Sequence, residues 1–269
     1  MSALQDGAGV APDADADRAI MAFIRESRNA DALPRVGPFV LLFTSATRLR
    51  YLNYAIPDDG ADPADAELVA LVNAFVAADR MPRIEFLPSV APALELRLTS
   101  HGWSVEDRLP LMTCTTRTVR ARPAPGGVGI DAPVDDVTLL EMARLQHAVF
   151  EDPEPPDERM VARLRGSLDR GGRALIARDS ESRRMVGAAQ AGVPAGGATE
   201  IVGVAVAPSH RRRGLAAAMV SALSRQSLDA GLTTVFLEAA PGADGAYRNA
   251  GFLRTSTSVH ISLGGDADA

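Results

Sequence analysis

Two stretches of the chain run through the same order of patterns. RIEFLPSVAPALELRLTSHGWSVEDRLPLMTC (residues 83–114) and TVFLEAAPGADGAYRNAGFLRTSTSVHISL (residues 234–263) each read as strand, helix, Gly-aromatic pair and strand. Gly102-Trp103 in the first stretch corresponds to Gly251-Phe252 in the second. A repeat on this scale is one supersecondary unit used twice. The expectation is two copies of one fold packed side by side.

The punctuation agrees with such a division. The Pro/Gly-rich segment RARPAPGGVG, at 120–129, breaks the periodic pattern. Residues 1–16 are small, acidic and unpatterned and read as a disordered tail. A first unit over 17–122 and a second over 126–265 follow. In the first, RAIMAFIRESRNA has helical spacing, GPFVLLFTS and LRYLNYAI read as strands, and DPADAELVALVNAFVAADR is a helix. The second reads β-α-α-β-β-β-α-β-α-β, which specifies an α/β (α+β) mixed sheet.

With 269 residues and 46% apolar content, each unit can build a core. A net charge of −6 does not favour nucleic acid or an anionic membrane. The triplet Arg211-Arg212-Arg213 lacks the interleaved aromatics of a nucleic-acid site. No apolar run reaches the length of a membrane span, and no signal-peptide pattern opens the sequence, so a cytoplasmic location is expected. The single Cys114, in an apolar strand pattern, reads as a small buried hydrophobe. The four histidines are too scattered to suggest a metal site.

The chemistry concentrates in EIVGVAVAPSHRRRGLA, residues 200–216. A β-branched strand stops at Pro208, which cannot continue a ladder, and residues 211–216 are expected to open a helix. The first N–H groups of a helix lack internal partners and carry the positive end of its dipole. Phosphate groups bind there. Gly214 and Ala216 keep the approach open, and the three arginines add positive charge. The residues therefore describe a pyrophosphate cradle at a strand–helix junction.

In this segment the sequence resembles the GNAT superfamily of N-acetyltransferases. Arg211-Arg212-Arg213-Gly214-Leu215-Ala216 matches its Arg/Gln-x-x-Gly-x-Gly/Ala signature, and Tyr247 to Phe252 matches its Tyr-x-x-x-Gly-Phe. The resemblance covers residues 128–263 well. It implies a tandem GNAT-like fold, a mostly antiparallel central sheet flanked by helices, with a degenerate first half. It also implies acetyl-CoA as donor and a primary amine, expected to be a small molecule, as acceptor. Val204, Ala205 and Val206 would meet the pantetheine arm, and the N–H groups of Arg212 through Ala216 the diphosphate. Glu200 matches the position of a general base in some members, and Tyr247 that of a residue protonating the thiol. Ala240 stands where the family often has Asn, and Pro241, Gly242 and Gly245 are unusual nearby.

The loop FEDPEPPDE carries Glu151, Asp152, Glu154, Asp157 and Glu158, which either favour a cationic acceptor or form a solvated loop. The aspartates of PDDGADPAD, before the first-half helix, would repel a diphosphate. That half should be structural or wall the acceptor pocket. A protein N-terminus or lysine as acceptor, and a non-catalytic coenzyme A sensor, are the competing readings. The oligomeric state, monomer or homodimer, is left open.

Overall fold

A computed structural model describes residues 14–27, 33–44, 48, 50–151 and 155–264. The first half contains α1 (Ala14–Ser27), β1 (Arg35–Val36), β2 (Phe39–Leu42), β3 (Tyr54–Pro57), α2 (Asp65–Ala77), β4 (Arg83–Phe86), α3 (Leu94–Thr99) and β5 (Ser104–Cys114). The second contains β6 (Val128–Asp131), α4 (Asp136–Phe150), α5 (Glu158–Asp169), β7 (Arg173–Asp179), β8 (Met185–Ala191), β9 (Ala198–Val206), α6 (Leu215–Asp229), β10 (Thr234–Glu238), α7 (Asp244–Ala250) and β11 (Leu253–Ser262). The element order expected for the second half is the order observed. The expected tail differs: residues 14–16 are the first turn of α1, and only 1–13 lie outside the described residues. Alanines are strong helix formers, and acidic residues suit a helix N-terminus, so Ala14, Asp15, Ala16 and Asp17 extend the helix upstream.

Among the described residues the strands join one sheet in the order β1-β2-β3-β4-β11-β5-β10-β9-β8-β7-β6. Among the described residues only β3–β4 and β9–β10 pair in parallel. The centre of the sheet shows how the repeat is assembled. β11 lies between β4 and β5, and β5 lies between β11 and β10. Each half therefore places its last strand inside the other half's sheet. Exchanging β3, β4, α3 and β5 with β9, β10, α7 and β11 maps the order of the six central strands, β3-β4-β11-β5-β10-β9, onto itself in reverse, as a pseudo-two-fold would.

The alternation of side chains along the strands separates two faces. On one, α2 and α3 pack on Ile84, Phe86, Val259 and Ile261, while α6 and α7 pack on Val235, Leu237, Ile201 and Ala189. On the other lie α1, α4 and α5. The Phe23 ring of α1 meets Phe236 edge-on at 5.1 Å. Small residues bring α6 close to the sheet: a Cβ added to Gly187 would stand 3.0 Å from Cε of Met219. The carboxylate of Asp135 caps α4 by accepting the Thr138 N–H at 2.8 Å. No described helix is long and apolar enough to cross a membrane.

Candidate functional site

β9 and β10 pair only at Thr234↔Ala198, Val235↔Thr199 and Phe236↔Glu200. Beyond Glu200 the strands diverge, although β10 continues to Glu238 and β9 to Val206. The divergence has a local cause. Gly203 has φ +62°, and the β8–β9 register shifts between the Ala188↔Ala205 and Gln190↔Val202 pairs. Such a bulge bends the strand and increases its twist. Gln146 of α4 donates to the Gly203 carbonyl at 2.7 Å, and Gln190 donates to Gln146 at 3.2 Å. A Cβ on Gly203 would overlap the Gln146 amide, so this position needs glycine for both angle and space. Val204 and Val206 are half-buried against the α6 core, and Ala205 is fully buried.

After β9 the chain turns rather than entering a helix at once. Pro208–His210 form a short 3-10 turn, and α6 begins at Leu215 rather than at Arg211. Arg212 (φ +61°) and Gly214 (φ +85°) are left-handed, which interrupts the helix that the sequence led one to expect at 211–214. The resulting loop leaves its amides without hydrogen-bond partners among the described residues. Among the described residues, the N–H groups of Arg212 through Ala217 donate no hydrogen bond, whereas Ala218 N–H bonds to Gly214 O at 3.0 Å. Alternating backbone hand of this kind makes an anion-binding concavity, here continuous with the free start of a 15-residue helix. A Cβ on Gly214 would meet nothing within 4 Å, so the space before it is open.

The side chains of the turn divide their roles. Arg211 bends back, its Nε donating to Val206 O at 3.1 Å, and Arg213 reaches Gly126 O at 3.1 Å. Arg212 is exposed and makes no hydrogen bond to a described residue. The Leu215 side chain is buried and offers only its N–H, and Ala216 is half-buried. His210 lies 3.4 Å from Asp179, whose carboxyl is brought down to about 2 by hydrogen bonds from the Ser182 backbone and hydroxyl.

Glu200 and Tyr247 sit on opposite sides of the divergence. Glu200 pairs with Phe236 and so shares the α1 face. Tyr247, on α7, is buried in the α6–α7 core with its ring 6.4 Å from that of Phe252. Burial raises its pKa above the ordinary phenol value. α7 forms despite Pro241, with Gly242 in the left-handed region just ahead of it.

The acidic loop resolves partly into structure. Asp157 caps α5, accepting the N–H groups of Arg159 at 3.0 Å and Met160 at 3.2 Å. Glu151 ends α4 in a left-handed conformation and Glu158 is exposed. Asp152 and Glu154 lie outside the described residues. In the first half, the start of α2 is acidic, with Asp65 and Glu67 in its first turn. Glu67 accepts the Ala64 N–H at 2.8 Å, Asp59 pairs with Arg25 at 2.8 Å, and Asp58 pairs with Arg35.

Sequence reasoning missed the Gly203 bulge and a buried polar chain on the α1 face. Arg83 is fully buried, with Nε donating to Glu106 at 2.9 Å, Nη1 to Glu85, and Nη2 2.9 Å from His260 Nδ1. His260 Nε2 lies 3.0 Å from Glu238 Oε2. Burial alone would resist ionisation of Glu238, but hydrogen bonds from His260 and Ser258 outweigh it and hold its pKa below the ordinary value. Burial wins at Glu85, whose pKa is raised. A glycine inside a strand pattern could have flagged the bulge. Nothing local in the sequence flags a contact between residues 83 and 260.

Comparison with known proteins bears on the fold and the family. Residues 138–252 match the Acetyltransferase (GNAT) family. A GCN5-related N-acetyltransferase from Kribbella flavida is 27% identical, with TM-score 0.73, over 96% of this chain and 97% of that one. Another from Sphaerobacter thermophilus is 19% identical, with TM-score 0.62, covering 83% and 75%. A tandem GNAT protein from the clavulanic acid biosynthesis pathway is 13% identical, with TM-score 0.56, covering 97% and 98%; this likeness is one of fold. Among curated proteins no sequence matches significantly.

Proposed function

We propose that this chain, in which residues 138–252 form a GNAT acetyltransferase domain within a tandem GNAT-like fold, moves an acetyl group from acetyl-CoA to the nitrogen of a small primary amine. The observation that carries this reading is the run of unpaired amides from Arg212 to Ala217 beside the divergence of β9 from β10. Unpaired N–H groups at a helix start suit a diphosphate. Arg211, Arg212 and Arg213 add charge around it. The edge of β9 at Val204, Ala205 and Val206, no longer paired with β10, offers main-chain groups to the amides of a pantetheine arm. Bound there, acetyl-CoA supplies an activated acyl carbon.

The chain's own residues would handle protons and charge. Glu200 accepts a proton from the acceptor's ammonium, directly or through water. Main-chain N–H groups on the diverged part of β9 stabilise negative charge on the acyl oxygen. Tyr247 keeps its proton, because burial disfavours the phenolate, and holds it available for the departing sulfur. With Glu200 and Tyr247 on opposite faces of the divergence, the amine and the thiol have separate sides. The first half would wall the acceptor side rather than bind a second diphosphate, because the start of its α2 carries acidic side chains, with Glu67 on the Ala64 N–H and Asp58 and Asp59 close by.

Calorimetry with coenzyme A and thiol release from acetyl-CoA over a panel of amines test the proposal together. Expected are a binding isotherm and amine-dependent thiol release with KM between roughly 1 μM and 1 mM. Binding with no release over the panel would convert the reading to a sensor. Release only with peptides would move the acceptor to protein.

A further inference from the structure

We propose that Glu238 is the residue that receives the acceptor's ammonium group, with His260 and Arg83 as positioning residues that hold it. This rests on the acyl-transfer reading of the strand divergence. Glu238 stands two residues beyond Phe236, the last residue of β10 to pair with β9. Phe236 and Glu200 are direct cross-strand partners, so Glu238 shares their face, about 7 Å further along the strand. It therefore lies at the mouth of the divergence, on the side from which Glu200 would deprotonate an amine.

The support behind Glu238 is directional. A guanidinium has no acceptor, so Arg83 Nη2 must donate to Nδ1 of His260. That leaves the proton on Nε2, which donates to Glu238 Oε2 at 3.0 Å. The Ser258 hydroxyl also favours the ionised form of this carboxylate. Only the end of this chain is accessible: about a quarter of the Glu238 side chain reaches solvent, while His260 and Arg83 are sealed. A buried ion chain adds little stability over an apolar core, so its effect is to hold one ionised carboxylate in one orientation at the site. A carboxylate has about four lone-pair positions, and the hydrogen bond from His260 leaves room for an ammonium.

The same face narrows the class of acceptor. Arg83, its buried cation, is taken up by Glu85, Glu106 and His260. Asp107 faces His260 as its cross-strand partner. Glu200 and Glu238 add two more carboxylates to this face, against one further cation, Arg50, which lies 4.0 Å from Glu106. The acceptor is thus an amine carrying no carboxylate beside its nitrogen. Because β4, β5, β10 and β11 all contribute, the strand exchange makes both halves part of this site.

The probes are 1,4-diaminobutane and ornithine, which is the same chain with a carboxylate added. Calorimetry on the full chain, with and without coenzyme A, should show diaminobutane binding at least tenfold tighter than ornithine. Glu238→Gln keeps an acceptor for His260 and should weaken diaminobutane at least tenfold, leaving coenzyme A affinity within about twofold. His260→Gln should raise KM for the diamine more than it lowers kcat, a split that a purely structural role would not give. Equal binding of diaminobutane to the parent chain and Glu238→Gln, or no binding to either, would overturn the assignment. Loss of the diamine in Glu238→Gln, in a chain that ignores coenzyme A, would uphold Glu238 and overturn the transferase reading instead.

Discussion

At the scale of single residues, Tyr247 shows how burial sets chemistry. Its phenol lies in the α6–α7 core, and desolvation raises its pKa. The sign follows: the protonated form is favoured in the folded state, and that preference is lost only as pH rises through the raised value. The log kcat profile should therefore show no limb from this group below about pH 10. Tyr247→Phe should lower kcat by about 10²-fold, the lower range for general acid catalysis, with coenzyme A affinity nearly unchanged. Unaltered kcat would remove Tyr247 from the reaction. Cys114 follows the same physics. Burial raises its thiol pKa, so a thiol reagent should label it only when the protein is unfolded, and rapid labelling of the native chain would contradict its place in the core.

At the scale of elements, β11 carries the fold. Val259 and Ile261 are fully buried against α2 and α3, in the half to which β11 does not belong by sequence. Ile261→Ala should cost about 2–5 kcal/mol, seen as a lower urea midpoint with coenzyme A present or absent. A shift below about 1 kcal/mol would mean that the exchanged strand is not packed as described. The elements themselves were largely legible in the sequence. The apolar run before Pro208 marked β9, and the segment from 211 marked the opening of the helix that follows it. The pairing of β11 between β4 and β5 was not legible, since pairing over such separations is fixed by burial rather than by local pattern. The turn at 211–214 was misread because left-handed Arg212 is rare for a non-glycine residue. The Glu238–His260–Arg83 chain stayed hidden for the reason β11 did.

At the scale of the whole molecule, the repeat and the break at 120–129 suggested two units side by side, and the sheet shows halves that exchange strands. A fragment ending at residue 122 lacks β11, and one starting at 126 lacks β5. Each exposes strand edges that the other would cover. Expressed separately, both should aggregate or remain unfolded; co-expressed, they should recover the circular dichroism and cooperative melting of the intact chain. Independent cooperative folding of the second fragment would show that the exchange is dispensable. The proposed anion site lies in the second half: the amides of 212–217 donate no hydrogen bond among the described residues, whereas the start of α2 carries Asp65 and Glu67, and Glu67 accepts the Ala64 N–H.

That contrast is tested most directly by amide hydrogen exchange, read residue by residue, on the full chain with and without coenzyme A. The amides of Arg212 through Ala217 should exchange quickly in the free protein and slow at least tenfold on saturation, while the start of α2 stays unchanged. Coenzyme A that binds without slowing those six amides, or that protects the α2 turn instead, would contradict the account.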